Sequence, residues 1–166
     1  MDNGTKFTAI ETELGWVGVS VGPKGLRVVN LPIRKRDDAL QAIAEAGGEL
    51  VSENEIHEVA EGVRDIVSGK PYKNGVKLDW SGITPFRRQV LEECARIPAG
   101  EVRSYGWLAE KVGRPRSARA VGRVMATNPW PLFVPCHRVV GSDGSLHGYG
   151  GGLPMKEALL RAEGAR

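Results

Sequence analysis

The hydrophobic rhythm of the chain changes near its middle. Residues 7–10, 16–21 and 26–31 are short apolar-rich runs with strand character, and Gly22, Pro23, Lys24 and Gly25 supply a turn between the last two. This spacing predicts a small, hairpin-rich antiparallel sheet. Residues 37–46 then read as a short helix stopped by Gly47 and Gly48. A longer helix is expected next, because Ser52 and Glu55 have capping-box spacing and Ile56, Val59, Ala60, Val63 and Ile66 recur at helical intervals. Residues 76–80 return to strand-like composition, and turn residues cluster at 81–85. Beyond them the apolar positions keep a helical period, as in Val90, Leu91, Cys94 and Ile97. The expected fold class is therefore α+β: an amino-terminal domain over residues 1–80, a linker at 81–85, and a mostly helical domain over 86–166.

Within that second half, two short helices are predicted around a tight turn. Ser104 can cap a helix through Leu108 and Val112, residues 113–116 form the turn, and Ser117 can cap a second helix through Met125, stopped by Asn128 and Pro129. This is the helix-turn-helix plan, which ordinary helical pairs also satisfy. On the second helix Val121, Val124 and Met125 share an inward face, while Arg119, Gly122, Arg123 and Ala126 share the other. Gly122 in a helix interior costs about 1 kcal/mol against Ala, so something approaches the backbone there, either a ligand or another helix.

Charge sharpens the division. Residues 1–85 carry 10 Lys/Arg against 13 Asp/Glu, and residues 86–166 carry 13 against 7, so an acidic half precedes a basic one. Arg103, Lys111, Arg114, Arg116, Arg119 and Arg123 crowd the predicted helix pair. Such a run is ordinarily a solvated face; on a helix-turn-helix it reads as a nucleic-acid surface. The chain is long enough, at 166 residues with 41% apolar content, to bury a core without cross-links. With two cysteines and no apolar run that would span a bilayer, a reducing cytoplasmic location is expected, or a nuclear one in a eukaryote, with no membrane partner.

The chemistry concentrates at Pro135, Cys136, His137, Arg138 and Val139. A thiol beside an imidazole, after the Pro-bounded apolar run 132–134, is expected to be a presented nucleophile, with His137 as its base and Glu163 as the group that orients the base. Cys94 is the internal control: it lies on an apolar helix stripe and is expected to be an inert core residue. Residues 1–80 carry no comparable chemistry, and His57 has no Cys or second His near it in sequence to share a metal.

The second half resembles the O6-alkylguanine-DNA alkyltransferases, the direct-reversal DNA repair proteins. The resemblance rests on Arg119-Ala120-Val121-Gly122, Asn128-Pro129, Pro135-Cys136-His137-Arg138-Val139, and Tyr149-Gly150-Gly151-Gly152-Leu153 followed by Lys156-Glu157, Leu160 and Glu163-Gly164. It covers residues 84–164; the first half matches only in size and in sheet-plus-helix content.

The resemblance implies an irreversible, single-use methyltransferase reaction in which Cys136 takes the alkyl group from guanine O6. His137 would act through a bridging water with Glu163 orienting it, Asn128 would be the hinge between recognition helix and reactive turn, and Tyr105 would assist nucleotide rotation and donate to guanine N3. Arg119 would fill the space of the flipped nucleotide from the minor groove. Tyr149 and Gly150 would line the alkyl pocket, and the Val139 carbonyl would recognise the exocyclic amine. Arg87, Tyr105, Gly106, Arg114, Gly122, Arg123 and Ser142 would join Arg119 at the DNA surface. The implied partner is double-stranded DNA carrying O6-alkylguanine, bound by a protein that is monomeric when free, with no cofactor and no metal. His137 and a helix amino terminus are expected to lower the Cys136 thiol pKa, about 1.4 kcal/mol per unit.

Two departures bear on that picture. Zinc, which some relatives bind in the first half, is not expected because residues 1–93 hold no cysteine, and Gly150 stands where some relatives carry serine. Alkyltransferase-like proteins, which bind lesions without repairing them, lack the acceptor cysteine that Cys136 retains. Read from the residues alone, two rivals stay open: a DNA-binding regulator or lesion sensor with an inert Cys136, and a Cys-His hydrolase.

Overall fold

A computed structural model of the chain describes residues 4–72, 75–146, 149 and 152–166. The chain divides into two compact units, Met1–Asp79 and Trp80–Arg166. Residues 81–85, expected as a linker, fall inside the second unit, where Thr84 Oγ1 accepts from the Arg87 amide and starts a helix.

In the first unit, β1 (Lys6–Thr12) and β2 (Gly15–Gly22) form an antiparallel hairpin, β3 (Gly25–Val29) pairs with β2, and β4 (Glu49–Leu50) lies on the far side of β1. Alternate positions face the core, so Ile10, Val17, Val19 and Leu26 are fully buried. The sheet is mixed rather than antiparallel throughout, because β4 runs parallel to β1. The crossover from β3 through α1 (Arg36–Ile43) delivers the chain to the open edge of β1 in the same direction, and a two-residue strand leaves no periodic trace in the sequence. Residues 76–80 make only an isolated bridge, Leu78 against Leu26.

The expected capping box is not formed. Ser52 precedes a 3-10 turn, Glu53–Ile56, and its side chain caps nothing, while the Glu55 carboxylate instead accepts from Lys6 Nζ at 3.1 Å. The helix α2 therefore begins later, at His57–Val67, and buries Val59, Ala60, Val63 and Ile66 as the period predicts.

The second unit is mostly helical. It comprises α3 (Pro85–Ala95), α4 (Tyr105–Lys111), α5 (Ala118–Ala126) and α6 (Leu153–Ala162), with a two-stranded parallel pair, β5 (Arg103–Ser104) and β6 (Val139–Val140). α4 and α5 are the predicted helix-turn-helix. The turn is a Schellman close: Gly113, at φ 76°, donates to the Glu110 carbonyl, and Arg114 N donates to the Ala109 carbonyl at 2.8 Å. Val121, Val124 and Met125 of α5 face the core, and Cys94 is fully buried on α3.

The two serines expected as caps behave differently. Ser104 is extended and its Oγ accepts from the Trp107 amide at 3.0 Å, whereas Ser117, at φ −105° and ψ 27°, is turned so that its hydroxyl caps nothing. Ser104→Ala is expected to cost about 1 kcal/mol and Ser117→Ala no more than about 0.5 kcal/mol, as read from urea unfolding midpoints.

Candidate active site and nucleic-acid interface

The segment after α5 folds back under the helix pair through one side chain. Asn128 Nδ2 donates to the Val134 carbonyl and its Oδ1 accepts from the Trp130 amide, each at 2.9 Å. Val134 N also donates to the Trp130 carbonyl, and the resulting turn places Leu132 at φ 80°, a left-handed conformation that an L side chain adopts only when its surroundings hold it there. Those surroundings are buried side chains: Trp130, Leu132 and Val134 expose 1% or less. From the other end, β6 pairs with β5 immediately before α4, so Arg103 stands beside Val139 and Ser104 beside Val140. The 3-10 turn Cys136–Arg138 is thus tied to α5 on one side and to the start of α4 on the other.

Cys136 is buried, at 6% exposure, and not presented as the sequence led one to expect. The apolar run before it packs inward and carries the thiol with it. Burial pushes the thiol pKa up, and hydrogen bonding from Asn128, contact with Tyr149 and the Lys156 charge pull it only part of the way back. The expected lowering of the thiol pKa is therefore corrected: desolvation outweighs the local donors. The Tyr149 hydroxyl is itself buried next to the sulfur and closes no well-aligned hydrogen bond.

His137 is fully buried. Its Nε2 lies 3.0 Å from Glu163 Oε2. An ionised carboxylate only accepts, so Nε2 carries the proton and Nδ1 of the neutral ring keeps its lone pair. Nδ1 has no hydrogen-bond partner among the described residues. No direct bond joins it to Cys136, in keeping with the divergence of neighbouring side chains around a helical turn. Burial holds the imidazole below its ordinary pKa, with the Arg138 and Lys156 charges acting in the same direction and Glu163 opposing them.

Glu163 is the C-cap of α6, and Gly164 beyond it, at φ 79°, closes the helix. Burial by itself would raise its pKa, but hydrogen bonds and charge from His137 and Arg138 overcome that and bring it to about 2. Arg138 binds both carboxylate oxygens, Nε to Oε1 at 2.9 Å and Nη2 to Oε2 at 2.6 Å. Arg138 and Lys156 stood in the sequence motifs without a role. Lys156 is fully buried, with Nζ 5.9 Å from the Tyr105 ring centre and 5.7 Å from that of Tyr149, and its pKa is brought down to about 8 by burial. Its position three and four residues before Leu159 and Leu160, on the buried stripe of α6, was the sequence signal that could have singled it out.

The remaining predicted residues spread over the helix-turn-helix surface. Arg114, Arg119 and Arg123 are exposed, with Arg114 stacked 5.2 Å over the Phe86 ring. A Cβ placed on Gly122 would meet nothing within 4 Å, so no neighbouring helix requires this glycine. Gly106 and Tyr105 are half-buried in the first turn of α4, and burial raises the Tyr105 pKa. Ser142 is exposed past β6. Arg87 is engaged within the protein: Nη2 donates to the Thr127 carbonyl at 2.9 Å and contacts Thr127 Oγ1, tying α3 to the end of α5. Gly150 lies outside the described residues. Among the described residues no group of three or more His, Cys, Asp or Glu is placed to hold a metal ion.

The buried pair gives stability a defined pH dependence. Glu163 has a folded-state pKa of about 2 against 4.5 unfolded, so its contribution is complete above 4.5 and is lost as the pH falls toward 2. The shift corresponds to roughly 3 kcal/mol at most. His137, lowered from 6.5, adds an earlier loss that begins as the pH falls through 6.5. Urea midpoints measured from pH 7 to pH 2 are expected to fall in these two windows, and Glu163→Gln to shrink the drop in the lower one.

A family model described as the 6-O-methylguanine DNA methyltransferase DNA-binding domain matches residues 85–165. The methylated-DNA–protein-cysteine methyltransferase of Shigella flexneri is 52% identical over 84 residues, which are 51% of this chain and 49% of that protein. The chain thus aligns with about half the length of such curated relatives. The crystal structure of Mycobacterium tuberculosis O6-methylguanine methyltransferase is 30% identical with a TM-score of 0.80, covering 98% of this chain and 94% of its own. That of Mycobacterium tuberculosis OGT in complex with DNA has a TM-score of 0.81 at 30% identity, covering 96% and 93%. With near-complete structural coverage at that identity, and its second unit matched from α3 through the end of α6, the chain belongs to the O6-methylguanine-DNA methyltransferase family.

Proposed function

We propose that this protein repairs DNA by direct reversal, moving an alkyl group from O6 of guanine in duplex DNA onto Cys136 in one irreversible step. The observation that carries the reading is a buried thiol, on a turn tied to the helix-turn-helix by Asn128, next to a neutral buried imidazole whose Nδ1 is free to accept a proton. The thiol proton passes to Nδ1 through one bridging water, since a direct bond is absent. The sulfur attacks the saturated carbon; the S–C bond forms as the C–O bond breaks, its electron pair leaves with O6, and the guaninate so formed takes up one proton at N1 from water while the His137 imidazolium returns the proton it received, restoring guanine. Nothing in this sequence of steps removes the thioether, so each chain reacts once.

The target is stacked in the duplex, so the nucleotide leaves the helix first, at a cost of a few kcal/mol. Arg119, exposed on the outer face of α5, fills the space from the minor groove. Gly122, with open space above it, lets the backbone of α5 approach the DNA, and Arg114, Arg123, Gly106 and Ser142 bind the backbone phosphates. Arg87, held to Thr127 through Nη2, adds its positive charge to this surface. Tyr105 donates to guanine N3, the Val139 carbonyl accepts from the exocyclic amine, and Tyr149 with Gly150 bounds the alkyl group. The protein acts as a monomer in the cytoplasm; no helix among the described residues is long and apolar enough to cross a membrane.

Incubated with duplex containing O6-methylguanine, the intact protein is expected to gain about 14 Da, one methyl group, and Cys136→Ser none. Binding without a mass gain would instead support a lesion sensor, and steady turnover of an ester a hydrolase. Arg119→Ala is expected to slow reaction with duplex at least about tenfold more than reaction with free O6-benzylguanine, because only the duplex requires extrusion. Equal losses would remove Arg119 from that role.

A further inference from the structure

Glu163 stands where helix physics disfavours it. It closes α6 at the negative end of the helix dipole, and its side chain is 1% exposed. Two neighbours compensate, unequally. His137 offers one hydrogen bond, to Oε2, while Arg138 grips both oxygens and shares Oε2 with the imidazole. A guanidinium stays charged at any working pH, and its flat fork fixes the plane of the carboxylate it holds. The third arm, Nη1, donates to the Ile97 carbonyl at 2.6 Å just beyond α3, so the fork is anchored to a second element.

We propose that Arg138 is the positioning residue of the site: it fixes and neutralises Glu163, so that the carboxylate accepts the Nε2 proton of His137 without drawing a second proton onto the ring, and Nδ1 stays available to Cys136. The inference rests on the alkyl-acceptor reading above and assigns the regulation of its base. Without the guanidinium, the nearest route to neutralising a buried carboxylate is a proton on the imidazole 3.0 Å away. The charged groups facing His137 are Glu163 and Lys156 from α6 and Arg138 from its own turn. Glu163 favours the imidazolium and both cations oppose it, so removing Arg138 withdraws an opposing charge and unmasks Glu163. The two effects have the same sign.

Two substitutions separate charge from geometry. Arg138→Gln keeps donors and loses the charge; Arg138→Lys keeps the charge and loses the fork. His137 ring nitrogens are titrated by NMR in the full chain without DNA, and Cys136 alkylation by free O6-benzylguanine is timed across pH. In Arg138→Gln, His137 is expected to titrate about one unit or more higher than in wild type, and the acid limb of the rate profile to move up with it. In Arg138→Lys the titration stays within about half a unit of wild type, and the plateau rate falls about fivefold or more as the carboxylate loses its two-point hold. A general loss of folding would lower the rate at every pH without moving the limb. A folded Arg138→Gln with an unmoved His137 titration overturns the proposal, as does an Arg138→Lys that reacts at the wild-type rate. If Arg138→Gln does not fold, the lysine variant decides alone. The titration needs no alkyl donor, so a wild-type chain that never gains an alkyl group sinks the repair reading while the nitrogen signals still judge Arg138.

Discussion

Glu163 is ionised, almost wholly buried and placed at the end of α6 where the backbone carbonyls oppose a negative charge. Such a group persists only if its partners are supplied in fixed positions. Arg138 and His137 supply them from a single 3-10 turn, which means that α6 docks by aligning the two residues that follow Cys136. The cost of burying the carboxylate is thereby converted into the placement of the imidazole. The tautomer of His137 follows from the same contact, because a carboxylate accepts and does not donate.

The thiol is the second half of the same arrangement. In the proposed alkyl transfer, a thiol sealed at 6% exposure is protected from adventitious electrophiles, and burial holds it toward its protonated form. Reactivity then depends on a base that is itself neutral, which burial, Arg138 and Lys156 all favour at His137. Asn128 and the β5–β6 pair hold the Cys136 turn against the underside of the helix pair, so the basic helix-turn-helix surface and the thiol are joined by a few hydrogen bonds. The left-handed Leu132 is part of that join: the buried side chains of the turn hold a conformation that the residue would not choose alone.

Much of this was legible in the sequence where a period or a motif carried it. The inward face of α5, the core position of Cys94, the helix-turn-helix and the grouping of Cys136, His137, Glu163 and Asn128 all follow from spacing or from family motifs. What was not legible arises from tertiary contacts. β4, β5 and β6 are two residues each, too short for any alternation to register. The Ser52 capping box does not form: the chain enters a 3-10 turn at Glu53–Ile56, and the Glu55 carboxylate meets Lys6, far away in sequence. The burial of Cys136 is not legible because prolines around an apolar run mark a turn without saying on which side of it the core lies. The role of Arg138 is not legible because a cationic residue in a basic domain looks like one more surface charge until its partner is seen.

Stoichiometry tests the central claim most directly. A known amount of protein is mixed with a large excess of duplex carrying O6-methylguanine, and restored guanine is followed to completion. With a single-use acceptor the yield stops at one guanine per chain, and every stopped molecule carries its alkyl group on Cys136. Product that keeps accumulating past that limit, or an alkyl group carried elsewhere on the chain, would contradict it.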